Sequence, residues 1–376
     1  MGQVVRAARV ALNGLKGAAL WAQSPQAVAR LYPGYFALVM ATGVVSVSAH
    51  LLGIALLAEP LLWLNVAAYG VLVVLTALRR AFYSRRVVED LTDHAKGPAF
   101  FTIVAGTCVL GSQIVTLTGD LYSAAVLGSV GAMLWFLLTY GFLTAITVRE
   151  DKPDLAHGIN GTWLIAVVGT QSVSTLGTLT APILEPWVGA VLFLTAAMFL
   201  FGCVLYVLTI TLIFYRMTFF KLDPEALSPT YWINMGAVAT TTLAGATLLR
   251  YGPQAGLLGE LAPFIKGLTV LFWVTATWWI PFLLLLGAWR HVYRGVSFQY
   301  EPQYWGMVFA LGVYTVCTFD LADALQLPLL LPIARAFGYV ALLSWLITLL
   351  GLIHALFAPA PMPERSSERV SLGGQG

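Results

Sequence analysis

Apolar residues in this chain gather into long blocks, with polar residues confined to short stretches between them. Ten such blocks can be drawn: Tyr35–Leu57, Leu61–Leu78, Ala99–Leu117, Tyr122–Val148, Thr162–Pro182, Trp187–Tyr215, Trp232–Leu249, Phe264–Trp289, Tyr304–Leu325 and Leu331–Phe357. A helix needs about 20 mostly apolar residues to cross the hydrocarbon core of a bilayer, so each block is predicted to span it. The odd-numbered blocks are rich in Gly, Thr and Ser, and the even-numbered ones in Leu, Phe and Trp, as in Val191–Ile213 and Phe282–Trp289.

The odd blocks are also versions of one another. Each opens on an aromatic residue, and with Phe36, Phe101, Trp163, Trp232 and Trp305 as markers the steps are 65, 62, 69 and 73 residues. A near-regular step long enough for two crossings predicts a helical hairpin repeated five times around a common axis. Small residues let helices approach closely, and hydroxyls tolerate a wet interior. The odd helices are therefore expected inside, lining a central pore, and the even ones facing lipid.

Composition fits this reading. Of 376 residues, 59% are hydrophobic and 10% charged, and the mean hydropathy is +0.83. A soluble domain carries roughly 25% charged residues. The fold class expected is thus an all-α integral membrane protein in the lipid bilayer. A net charge of +3 leaves no basic footprint for nucleic acid. With both termini on one side, 17 of the 20 Lys and Arg lie on that side, leaving Arg250, Lys266 and Arg335 opposite. The positive-inside rule makes it the cytoplasm. The expected location is the inner (cell) membrane, crossed many times, with residues 1–30 as a cytoplasmic arm, 31–357 as the membrane domain and 358–376 as a disordered cytoplasmic tail. The odd helices then run parallel, and their N-termini, which carry partial positive charge, gather at the cytoplasmic mouth.

No Asp, Glu, Lys or Arg falls in the middle of any block. A proton-coupled carrier needs a titratable relay, for which His50, Asp320 and His354 are the candidates. An uncharged path lined by hydroxyls and aromatic rings suits an ion that must enter and leave without tight binding. Candidate pore-lining residues are Thr42, Ser46, Thr107, Ser112, Thr170, Ser174, Gly236, Thr240, Gly312 and Thr315. Their hydroxyls either donate to an anion or bond carbonyls of their own helix. Gly43, Gly106, Gly169, Gly236 and Gly312 mark either close helix packing or mid-membrane kinks.

Phe309 lies four residues after Trp305, where the other repeats have Met40, Ala105, Val167 and Gly236. As the one aromatic ring in that layer it is either a packing residue or a plug that closes a narrow pore. Arg250, Lys266 and Arg335 either attract anions or snorkel to headgroups. The stretches Asp90–Gly97 and Asp154–Gly161 carry Asp and His at helix starts, without a metal-binding spacing. Cys108, Cys203 and Cys317 read as small buried hydrophobes. No nucleophile–base pair, metal triad or cofactor motif is present, so neither an enzyme nor a cofactor is expected.

Four motifs, PGYFALVMATGVVS (Pro33–Ser46), DHAKGPAFFTIVAGTCVLGSQ (Asp93–Gln113), INGTWLIAVVGTQS (Ile159–Ser172) and KLDPEALSPTYWINMGA (Lys221–Ala237), carry a resemblance to a known family. From about Leu31 to Phe357 the chain resembles the tellurite-resistance/C4-dicarboxylate transporter family, which includes malate permeases, sulfite efflux pumps and slow anion channels. The resemblance implies a ten-helix protomer of five hairpins, a homotrimer with one pore per subunit, and a Phe gate that falls on Phe309. Transport of small anions, C4-dicarboxylates such as malate or small inorganic ions, is the function it implies. A proton-coupled C4-dicarboxylate carrier is the alternative.

Overall fold

A computed structural model of the chain describes residues 25–251 and 256–357, and every regular element among them is helical. The expected tail, and the arm up to residue 24, lie outside the described residues. Ten long helices follow the ten apolar blocks: α1 (Ala37–Leu51), α2 (Ala55–Phe82), α3 (Phe101–Thr118), α4 (Leu121–Val148), α5 (Ile165–Thr180), α6 (Val188–Phe219), α7 (Ile233–Tyr251), α8 (Leu257–Ala288), α9 (Tyr304–Ala324) and α10 (Leu331–Phe357). Nine of them, among the described residues, are long and apolar enough to cross a membrane. The exception is α7, whose sequence carries Asn234 and the run Thr240–Thr242. It is enclosed by α5, α6, α8 and α9, so it needs little apolar surface of its own.

The five odd helices form a closed ring. Each packs on the next, α1 on α3, α3 on α5, α5 on α7 and α7 on α9, and α9 returns to α1. Within the most apolar stretch of each helix, 78, 56, 83 and 83% of residues are buried in α1, α3, α5 and α9, against 22, 11, 39, 28 and 11% in α2, α4, α6, α8 and α10. The outer helices expose Trp63, Phe136, Leu208, Leu284 and Ile347, side chains that would be costly in water and belong in lipid. The chain is a multi-pass membrane protein with its odd helices inside.

Small residues set how closely the ring closes. A Cβ on Gly43 would lie 2.6 Å from Val109 of α3, and one on Gly312 would lie 2.6 Å from Val44 of α1. One on Gly236 would lie 3.0 Å from Ala310 of α9. At these three glycines the close-packing reading holds. Before α1, α3, α5 and α7 the chain makes a single 3₁₀ turn (Pro33–Phe36, Gly97–Phe100, Gly161–Leu164 and Pro229–Trp232). Asp93 and Asp154 serve in the loops ahead of α3 and α5. Asp93 Oδ1 accepts from the amides of Ala95 and Lys96, both at 2.9 Å, and Asp154 Oδ1 from the amide of His157 at 3.0 Å. The His157 ring also bonds Asp154, and these hydrogen bonds hold its carboxyl below the usual range.

Candidate functional site: the axial cavity

Inside the ring lies a cavity of about 160 Å³, and each odd helix contributes one stripe to it. The stripes are Val44, Val47 and Leu51 on α1; Val109, Ser112 and Thr116 on α3; and Ser172, Thr175 and Leu179 on α5. From α7 come Thr240, Leu243, Thr247 and Arg250, and from α9 Phe309, Val313, Val316 and Asp320. Steps of three and four residues keep each set on a single helix face. All five stripes lie toward the C-terminal ends of their helices, so the cavity occupies one end of the ring axis.

Phe309 forms its floor. The ring is 1% exposed and leans over α7, where a Cβ on Gly236 would come within 3.8 Å of it. At its level Met40, Ala105 and Val167 are buried in the same apolar core. Exposure rises in the other direction, to 15% for the Asp320 side chain and 38% for that of Arg250. At that mouth Arg250 Nη2 is 2.7 Å from Asp320 Oδ1 and 3.6 Å from Asp323 Oδ2. Arg250 therefore meets the cavity as one end of an ion-pair cluster that ties α7 to α9.

Of the residues expected along the axis, Ser112, Thr240 and Phe309 line this cavity. The other expected positions do not. Ser46 Oγ donates outward to the carbonyl of Ala58 at 2.7 Å, and Ser174 Oγ to that of Thr195 at 2.7 Å. Thr42 accepts from Trp345 Nε1 at 3.1 Å, Thr170 from Trp135 Nε1 at 2.8 Å, and Thr107 pairs with the Tyr69 hydroxyl at 3.0 Å. Thr315 bonds the carbonyl of Leu311 and turns its methyl toward Gly338 of α10. Gly236 and Gly312 are consumed in contacts between inner helices. The physical reason is helix rotation. A hydroxyl buried in lipid-embedded protein needs a partner, and the outer helices supply aromatic donors and backbone carbonyls.

Those donors follow a rule the sequence did not show. Tyr69 of α2 reaches α3, Trp135 of α4 reaches α5, Trp273 of α8 bonds Thr318 of α9 at 3.0 Å, and Trp345 of α10 reaches α1. Four of the five outer helices are thus pinned to the inner helix that follows their own, and the last closes on the first. Only the α6–α7 step lacks such a pair among the described residues: Tyr206 of α6 instead accepts from Trp279 of α8 at 3.0 Å.

The cavity's hydroxyls are mostly committed to their own helices. Thr240 Oγ1 donates to the carbonyl of Gly236 at 2.7 Å, Thr175 to that of Gln171 at 2.9 Å, and Thr247 to that of Leu243 at 2.8 Å. Ser172 Oγ is buried without a partner in the protein. A wall of Val and Leu with few open donors offers an ion weak contacts, which is what fast transit requires. Arg250, Thr175, Thr247 and the valine positions take part in this wall without having been singled out as lining residues. The signal that could have found them is the stripe itself, repeated at steps of three and four in all five odd helices.

Comparison with known proteins agrees with this architecture. Residues 30–353 match the family model described as voltage-dependent anion channel. Two uncharacterized transporters of Methanocaldococcus jannaschii are similar to the chain over most of its length. One is 23% identical over 325 residues, 85% of this chain and 91% of the relative, and the other 22% identical over 333 residues, 86% and 94%. An uncharacterized membrane protein of Mycobacterium tuberculosis is 36% identical over 166 residues, 44% of this chain and 84% of the relative. A family match spanning the whole helical ring, on a chain whose inner helices enclose an axial cavity, makes this protein a member of the voltage-dependent anion channel family.

Proposed function

We propose that the chain conducts small anions along the ring axis, with Phe309 as the gate that closes the path. The observation that carries this reading is the set of five stripes, one per inner helix, converging on a single cavity that ends at one aromatic ring. Anion passage is the general activity of the family. The finer elements belong to the proposal: C4-dicarboxylates such as malate or small inorganic ions as cargo, cytoplasmic termini in the cell membrane, and a trimer with one path per subunit. In that orientation the closed floor faces the cytoplasm, where inner-helix N-termini gather, and the cavity opens outward. A phenyl ring in an apolar constriction blocks passage by its bulk and by excluding water.

The test is flux of chloride, nitrate, sulfite and malate into liposomes holding purified protein, wild type beside Phe309→Ala. Voltage-driven flux that rises at least ten-fold in the variant, a barrier change of about 1.4 kcal/mol or more, is expected. Unchanged flux in a well-folded variant would remove Phe309 from the gate.

A second reading, a proton-coupled C4-dicarboxylate carrier, draws on one observation: Asp320, a carboxylate, lines the cavity beside Arg250. It requires flux that depends on a pH gradient and is abolished in Asp320→Asn, and the same liposomes decide it.

A further inference from the structure

Away from the axis, the N-terminal end of the ring carries a second arrangement. An apolar crevice of about 310 Å³ runs between α2 and α4, with Leu72 on one wall and Leu134, Leu137 and Leu138 on the other. Leu137 is 59% exposed, so the crevice opens on the surface assigned above to lipid. At its end near the N-termini of the inner helices it meets a polar pocket of about 350 Å³, and the two share Leu31, Tyr32, Pro33 and Arg79. The pocket is lined by the cations Arg30, Arg79, Arg86 and Lys96 against the carboxylates Glu89 and Asp90, an excess of two positive charges (4 − 2).

Arg79 joins the two spaces. Its side chain is 5% exposed, its Nη2 engages Asp90, and its Nε is buried without a partner. Asp90 is also claimed by Lys96, at 3.3 Å, so one carboxylate serves two cations. A buried guanidinium with an open donor is costly unless an anionic oxygen completes it. The short helix Ser84–Leu91 lies at the boundary. It turns Val87 and Leu91 to the crevice and Arg86, Glu89 and Asp90 to the pocket, the arrangement of a helix seated at a membrane interface. Basic residues just beyond a membrane helix attract anionic headgroups.

We propose that the crevice and pocket together bind one anionic phospholipid, its phosphate held by Arg79 and Arg86 and an acyl chain laid between α2 and α4. Neither the charge excess nor the apolar length fits a ligand lacking the other half, and the site does not depend on how the axial cavity works.

The test is native mass spectrometry of the full chain in detergent, titrated with phosphatidylglycerol and, separately, phosphatidylcholine. The wild type is expected to hold one phosphatidylglycerol at least ten-fold more tightly than phosphatidylcholine. Arg86→Gln alters an exposed side chain and spares the Arg79–Asp90 pair. It should weaken phosphatidylglycerol at least five-fold and leave phosphatidylcholine unchanged. Leu137→Trp fills the crevice and should weaken both. Equal retention of the two lipids, or phosphatidylglycerol binding that neither variant alters, would overturn the proposal. So would full competition by soluble glycerol phosphate, which would make this a site for a free phosphate. A second protein chain appearing in place of lipid and lost in Leu137→Trp would reassign the crevice to a subunit contact.

Discussion

The same five inner helices behave differently in their two halves. Toward their N-termini they touch through Gly, Ala and buried apolar side chains; Met40, Ala105 and Val167 line no cavity, and Phe309 stands where the lining stripes begin. Toward their C-termini they stand apart around about 160 Å³ lined by Val, Leu, Ser and Thr. On the function proposed above, one half is a seal and the other a vestibule. The change falls at the layer where four repeats have Met, Ala, Val and Gly and the fifth has a phenyl ring. A path of this kind needs only one narrow layer, because a short apolar constriction already excludes water and ions.

The contrast breaks most completely if the seal is opened, and the Phe309→Ala flux experiment carries that largest effect. Next comes the packing that closes the inner ring. Gly312→Leu would drive a side chain into Val44, which already lies 2.6 Å from the position of a Cβ. Overpacking of this kind costs about 1–3 kcal/mol or more. The expected outcome is a lower melting temperature and poor recovery of folded protein, measured by thermal unfolding in detergent. The vestibule is probed by Arg250→Gln, which removes a positive charge from the mouth and frees Asp320 and Asp323. A several-fold fall in anion conductance at low salt is expected, shrinking as salt screens the mouth. The smallest effect belongs to the outer contacts. Trp345→Phe deletes the hydrogen bond to Thr42 and should cost about 1 kcal/mol of stability, with conductance in the Phe309→Ala background unchanged. A conductance change there would mean that Thr42 serves the path after all.

Much of the fold was legible in the sequence. Block lengths fixed which segments could span, the one-sided Lys and Arg pattern fits a single topology, and the Gly–Thr–Ser bias of the odd blocks identified the inner ring. Helix rotation was not legible. A threonine in an inner helix reads the same whether it faces the axis, as Thr240 does, or an outer tryptophan, as Thr42 and Thr170 do. Val44, Val313 and Val316 look like ordinary core residues in the sequence and become wall only when five helices are set around one axis. The pairing of Arg250 with Asp320 joins residues 70 positions apart, and charge pattern along the chain does not carry such a contact. Phe309 could be singled out because its distinction is a comparison among repeats, which the sequence does contain.

If the axial vestibule is closed off at Phe309, a charged reagent can reach it from one side alone. Ser112→Cys places a thiol within the vestibule, while Cys108, Cys203 and Cys317 are buried elsewhere. A negatively charged, membrane-impermeant thiosulfonate reagent is applied to oriented vesicles from one side or the other. Labelling is expected only from the side of the inner-helix C-termini while Phe309 is present, and from both sides once Phe309→Ala is added. Equal labelling from both sides with Phe309 intact would contradict it, as would continued protection from the N-terminal side in the double variant.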